Sequence, residues 1–209
     1  MSDAPTGPQL YLIAPASVAA SALADLLTPV LDAFPVACLR LPAGGQDEAE
    51  LGRLADIARD LAHERDIAVV VDDHVLLAGR HGLDGVHLTN GARGVRAARK
   101  ELGTDAIVGA DCGQSRHEGL NAGEAGADYV SFGPVGETGL GMGETASLDL
   151  FQWWSEVVEV PVVAQGALTA DVIATLNPIT DFLAIGPEIW SQPDPAAALR
   201  ELLKQTAPC

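Results

Sequence analysis

Residues 67–88 read IAVVVDDHVLLAGRHGLDGVHL. The stretch opens on the apolar run Ile67–Val71, breaks at Asp72 and Asp73, continues through Val75–Arg80 and closes on a second short run, Gly85–Leu88. Short runs rich in β-branched residues and bounded by Gly or Asp read as strands buried on both faces. The residues between them read as a short helix. A strand, a helix and a second strand in direct succession imply parallel strands, because the helix carries the chain back along the sheet in a right-handed crossover.

The same alternation extends in both directions. Candidate strands precede it at Leu10–Ala14 and Val36–Leu41 and follow it at Ala106–Ala110, Tyr129–Phe132, Val162–Gln165 and Phe182–Ile185. Ser17 precedes a run with Leu23, Leu26, Leu27, Val30 and Leu31, and Asp47 precedes one with Leu51, Leu54, Ile57, Ala58 and Leu61. Spacings of three and four put each set on one face of a helix. Arg93–Leu102, Ser115–Ala125, Ser147–Val158 and Pro195–Gln205 behave similarly, and Thr169–Leu176 is a shorter helix. Ser147 and Thr169 are expected N-caps, since a hydroxyl there accepts an orphan backbone N–H.

Eight strand–helix units in 209 residues predict an α/β fold, a (β/α)8 TIM barrel in a single domain over residues 1–209, with residues 1–8 a loose tail. An open doubly wound sheet is the rival reading of the same alternation. The segment 133–146 holds five glycines and reads as a mobile active-site loop.

Composition narrows the partners. Twelve Lys and Arg stand against 29 Asp and Glu, a formal charge of −17. Such a field repels nucleic-acid phosphates and anionic lipid, so neither nucleic acid nor membrane is expected as a partner. Cys38, Cys112 and Cys209 have no metal-ligand spacing and no paired framework, which suits a reducing compartment. No basic start with an apolar run opens the chain, and no stretch is long enough to span a bilayer. The expectation is a cytoplasmic protein handling a small molecule, and a homo-oligomer is compatible with it.

The working face of such a barrel is at the C-terminal ends of its strands. Adjacent Asp72 and Asp73 supply oxygen ligands of the kind Mg2+ takes together with waters and substrate phosphates; the alternative is a helix cap and a solvated acid. Arg40 follows an apolar run, where it either clamps an anion or pairs with a neighbouring Asp. Gly166 and Gly186 end the seventh and eighth strands, where many barrels bind phosphate through backbone N–H groups. His87 sits inside a strand and reads as a hydrogen-bonded interior residue. Asn90, Asp111, Thr138 and Gln165 complete the set at the strand ends.

Particular strings resemble the thiamine phosphate synthase family and its TenI-type thiazole tautomerases. Asp84-Gly85-Val86-His87-Leu88 matches the family's fourth-strand phrase, and the run from Ala127 to Val135 matches the sixth, with a substitution at Ser131. Leu10–Ile13 and Val160–Ala164 are similar to its first and seventh strands. The resemblance implies a transferase of thiamine biosynthesis, which couples hydroxymethylpyrimidine pyrophosphate to thiazole phosphate and releases pyrophosphate. It implies Mg2+ on Asp73, with Asp72 beside it, and Arg40 on the pyrophosphate. Asp72, His87, Asn90, Asp111, Thr138, Gln165, Gly166 and Gly186 are the expected substrate contacts.

The matches thin out at the strand ends. The family's Gln-x-Arg-x-Lys after strand two becomes Cys38, Arg40 and Pro42, and the second metal-binding Asp after strand four gives way to Thr89-Asn90-Gly91-Ala92. The Thr-x-Thr-Lys loop keeps Thr138 and no Lys. Gly-Gly after strand seven is Gly166-Ala167, and Ser-Ala after strand eight is Pro187-Glu188. Two lysines are lost beside a diphosphate, with Arg93 or Arg116 as candidate replacements. Three functions stay open: a divergent synthase, a related enzyme acting on another heterocycle or amine, and a ligand-binding barrel without catalysis.

Overall fold

The computed structural model describes residues 7–45, 47–137 and 144–204. Eight parallel strands close into a barrel in sequence order, with the eighth hydrogen-bonded to the first. They are β1 (Gln9–Ile13), β2 (Val36–Leu41), β3 (Ala68–Asp72), β4 (Gly85–Leu88), β5 (Ile107–Asp111), β6 (Tyr129–Phe132), β7 (Val162–Gln165) and β8 (Phe182–Ile185). Closure decides against the open sheet.

The first four helices outside the barrel are α1 (Ala20–Ala33), α2 (Glu48–His63), α3 (Val75–His81) and α4 (Val95–Leu102). They are followed by α5 (Arg116–Glu124), α6 (Leu148–Val157), α7 (Ala170–Leu176), α8 (Pro187–Trp190) and α9 (Pro195–Leu202). The expected helix from Arg93 is corrected at its start: Gly91–Gly94 forms a 3-10 turn and the α-helix begins at Val95. Two glycines in that turn weaken α-helical winding. Four residues were too few for periodicity to reveal α8.

Alternation along each strand sorts the apolar residues into two layers. Tyr11, Cys38, Val70, Tyr129, Val163 and Ala184 fill the barrel interior. The intervening residues, among them Leu12, Leu39, Val71, Val86, Val108 and Phe132, face the helices and meet Leu23, Leu27, Leu54 and Trp154. Both faces are dry, which is why the strands read as continuous apolar runs. Phe132 packs edge-on against Phe151 and Trp154, with centroids 5.9 and 5.0 Å away. Gly119 of α5 permits that approach, because a Cβ there would lie 2.6 Å from the Trp154 ring.

Three aspartates repeat one device. Asp84, Asp128 and Asp181 stand just before β4, β6 and β8. Each donates its backbone N–H to a carbonyl of the preceding strand, on Val69, Val108 and Val162 respectively. Each side chain then accepts the N–H of that same residue, at 2.6, 2.7 and 2.8 Å. The clasp ties the start of one strand to the next and satisfies a backbone donor that would otherwise be buried unpaired.

The capping expectations hold. Ser147 accepts from Leu150 N and Thr169 from Val172 N, while Asp47, Ser115 and Asp194 cap α2, α5 and α9 in the same way. No helix among the described residues is long and apolar enough to cross a membrane. Of the expected loose tail, residues 1–6 lie outside the described residues, as do 138–143 of the glycine-rich loop and therefore Thr138.

Candidate functional site

Strand register sets the mouth of the barrel. Asp72 and Asp111 were expected just after their strands but are strand residues, paired in register with His87 and Ser131. Two-residue alternation from Val70 and Gly109 turns both carboxylates inward. Arg40, near the end of β2, points the same way and is 9% exposed.

Arg40 links three strands. Its Nε and Nη2 donate to the two Asp72 carboxylate oxygens at 2.6 and 3.1 Å, and Nη1 donates to Gln165 Oε1 at 3.1 Å. Of the two roles open to Arg40 in the sequence, the structure realises the pairing with Asp. Three of the five guanidinium N–H donors are used by described residues, which leaves two without a partner among those residues. Burial pushes the Asp72 carboxyl up and Asp73 and Asp111 add to the push; the bidentate contact with Arg40 opposes it without cancelling it.

A cavity of about 760 Å3 opens here, lined by Arg40, Asp72, Asp111, Gln165, Gly166 and Glu188 among others. Glu137 also faces it, so the described lining carries four acids and one base, and the base is already paired. A cavity of about 520 Å3 at the opposite end, beside Phe34 and Leu183, is lined among the described residues by no ionisable side chain. The mouth is the candidate active site.

Not every expected residue reaches the cavity wall. Asp73, just past β3 with a backbone φ of 53°, is turned toward Thr89: its Oδ1 accepts Thr89 N at 2.9 Å and its Oδ2 accepts Thr89 Oγ1 at 2.5 Å. Asn90 is exposed on the turn after β4 and makes no side-chain cap bond. Asp111 Oδ1 accepts Gly113 N at 3.0 Å. Arg116 is corrected as a replacement cation: it pairs with Asp149 and lies over the Trp153 ring at 5.0 Å, outside the cavity lining. Arg93 is exposed and is also outside that lining.

His87 is interior, as expected. Its Nδ1 meets Tyr129 Oη at 2.9 Å, and Tyr129 Oη meets Tyr11 Oη at 2.8 Å, a polar chain inside the barrel. Gly109 makes room for it, since a Cβ there would lie 2.0 Å from the Tyr129 ring. Burial, with the nearby Arg40 charge, holds the His87 imidazole well below the usual histidine range, so it is neutral. Burial pushes both phenols well above theirs. It also pushes the Cys38 and Cys112 thiols up to about 12, so neither is a ready nucleophile at neutral pH.

Glu188, noted in the sequence only as a departure from the family pattern after strand eight, was not among the expected contacts. Its Oε2 accepts Gly186 N at 2.9 Å and its Oε1 accepts Leu168 N at 3.2 Å. One donor follows β8 and the other follows β7. The available signal was Pro187 directly after Gly186, a helix start, but nothing in it pointed to Leu168.

A family profile described as Thiamine monophosphate synthase matches residues 10–180. A thiamine-phosphate synthase of Rhodospirillum centenum is 40% identical over 196 residues, covering 92% of this chain and 95% of that protein. One of Erythrobacter litoralis is 37% identical over 213 residues, covering 99% of each. The chain belongs to the thiamine monophosphate synthase family. The solved structure of a thiamine phosphate pyrophosphorylase from Pyrococcus furiosus superposes with a TM-score of 0.79 at 25% identity, over 94% of each chain.

Mg2+ takes one or two carboxylates plus waters and substrate phosphate oxygens. Both Asp72 oxygens are engaged by Arg40, whereas Asp73 is exposed and bound only to neutral Thr89. Among the described residues no three His, Cys, Asp or Glu side chains are grouped to hold a metal. A single carboxylate can serve Mg2+ carried with a diphosphate, and Asp73, exposed and bonded only to neutral Thr89, is compatible with that role.

Proposed function

We propose that this chain joins hydroxymethylpyrimidine pyrophosphate to a thiazole acceptor and releases pyrophosphate, the carbon–nitrogen bond-forming reaction of thiamine biosynthesis. The observation that carries this reading is the position of Arg40: it lies inside the mouth cavity of a barrel matched by the family profile, with two N–H donors that no described residue takes up. The bond from the pyrimidine methylene to the pyrophosphate oxygen breaks, and its electron pair leaves with pyrophosphate. The thiazole nitrogen lone pair then bonds the methylene carbon, giving a quaternary nitrogen with no proton transferred.

The chain's own groups suit the two ends of that step. Arg40 would hold a pyrophosphate oxygen, fixed in place by Asp72 and Gln165. Asp111 and Glu137 face the cavity and favour positive charge developing on the methylene and then on the thiazolium. His87 stays neutral beneath them and adds no competing cation. Asp73 would hold Mg2+, which when bound neutralises charge on the departing pyrophosphate. Gly166, in the cavity wall, and Thr138 complete the proposed substrate contacts, whereas Asn90 stands outside the lining and Gly186 N is held by Glu188.

The test is direct. Purified protein supplied with the pyrimidine pyrophosphate, Mg2+ and either thiazole phosphate or the thiazole alcohol should release pyrophosphate above the uncatalysed background. Background release with both acceptors would overturn the reading. A second reading, an altered acceptor, is favoured by one observation: the carboxylate of Glu188 lies where barrels of this kind bind phosphate.

A further inference from the structure

The described mouth wall offers a diphosphate one cation, Arg40, and that cation is already paired with Asp72. The chain holds twelve Lys and Arg in all. Eight of them are ion-paired with a carboxylate, and Arg200 lies over the Phe34 ring at 5.6 Å. The three with neither kind of partner among the described residues are Arg93, Arg96 and Lys100. All three are exposed and fall within eight residues of chain.

A structural role does not account for their placement. Arg93 sits in the turn Gly91–Gly94 and Arg96 in the first turn of α4, where the helix dipole disfavours a cation. An acid would stabilise that end, yet α4 has neither an acid in its first turn nor a side-chain cap. Arg96 and Lys100 are four residues apart, so their like charges share one face and weaken the helix. Arg93, three residues before Arg96, continues that face toward the turn.

The strip begins beside the candidate active site. The turn follows β4 just after Thr89, which is bound to Asp73, the carboxylate proposed for Mg2+. A Cβ on Gly91 would lie 3.8 Å from the Asp111 carbonyl oxygen, so the turn packs against the end of β5, whose Asp111 lines the cavity. From there α4 carries Arg96 and Lys100 down the outer wall. With a formal charge of −17, the protein as a whole repels a diphosphate. The Debye length is about 8 Å in physiological salt, so three uncompensated cations leading to the rim oppose that repulsion locally.

We infer that Arg93, Arg96 and Lys100 form a capture strip for diphosphate, which raises its concentration at the rim beside Asp73 and Arg40. The strip takes no part in bond breaking. The identity of its ligand rests on the coupling reaction proposed above.

The experiment titrates inorganic pyrophosphate with Mg2+ by calorimetry into three proteins. They are the wild type, Arg93→Gln/Arg96→Gln/Lys100→Gln, and Arg53→Gln/Arg80→Gln/Lys204→Gln. The two triple variants change the net charge equally, but the second removes exposed cations that are paired with acids away from α4. The strip variant should bind about tenfold more weakly than the wild type at about 0.02 M NaCl, the lower end of focusing by a charged surface. The difference should vanish by about 0.5 M, and the second variant should stay near the wild type throughout. KM for the pyrimidine pyrophosphate should rise with the loss of binding. Because the removed cations oppose the helix dipole and one another, the melting temperature of the strip variant should hold or rise. Single variants Arg93→Gln and Lys100→Gln should each show part of the loss, and they carry the test should the triple variant fail to fold. Equal weakening in both triple variants would assign the effect to net charge, and unchanged binding by the strip variant would leave the strip without a role; either result overturns the inference. Weaker binding together with a lowered melting temperature marks the three residues as structural and overturns it as well. If binding depends on the strip but the substrates release no pyrophosphate, the coupling reaction falls and the capture strip stands. If the wild type does not bind pyrophosphate, both fall.

Discussion

Arg40 carries more of the site than any other side chain, because it is buried, charged and shared among three strands. Its partners fix the plane of the guanidinium, and a bidentate carboxylate contact requires that plane. Arg40→Lys therefore should not rescue Arg40→Ala: both should lower kcat/KM for pyrophosphate release by about a hundredfold or more. Near-wild-type turnover by the lysine variant would show that only a point charge is needed. His87 gives a prediction with a sign. Its folded pKa lies below the unfolded value of about 6.5, so its contribution to stability is present above that pH and lost as pH falls through and below it. The raised Asp72 pKa acts oppositely, its contribution being full below the unfolded value of about 3.9 and lost as pH rises through the folded one. Thermal unfolding followed from about pH 7.5 down to 5 should thus show a loss in wild type that flattens in His87→Gln; parallel curves would assign the slope elsewhere.

At the scale of elements, the strand–helix units are held in step by hydrogen bonds that recur in the sequence. The Asp84, Asp128 and Asp181 clasps close on Val69, Val108 and Val162. Asp128→Ala leaves the N–H of fully buried Val108 without its side-chain acceptor and should cost about 1–3 kcal/mol in denaturant unfolding. A change within a few tenths of a kcal/mol would mean that water replaces the carboxylate. The elements were legible because each is decided locally: apolar periodicity for α1 and α2, a hydroxyl before α6 and α7, β-branched runs for the strands. The misses have equally local causes. Two glycines convert the start of α4 into a 3-10 turn, and α8 is shorter than one period of any pattern.

At the scale of the whole molecule, the charge of −17 acts on the closed barrel as a uniform repulsion, over and above its individual ion pairs. Salt screens that repulsion over a Debye length of about 10 Å at 0.1 M. The melting temperature should rise as NaCl goes from about 0.01 to 0.3 M, since self-repulsion destabilises a compact state. A falling melting temperature would mean that the surface ion pairs outweigh the net charge.

By itself, the sequence determined the alternation of eight strands and their helices, the caps at Ser147 and Thr169, an Arg at the end of the second strand and the family phrases, all of which are set by neighbours a few residues apart. Only the tertiary structure decided what the mouth can bind. Arg40 meets Asp72 and Gln165 across separations of 32 and 125 residues, and Glu188 reaches back 20 residues to Leu168. Asp72 stands on the strand next to Arg40 and Leu168 follows the strand next to the one that Glu188 follows, while Gln165 is reached across the barrel mouth because the sheet closes on itself. The same fold lets an ordinary glutamate after the last strand bridge the backbones that follow β7 and β8.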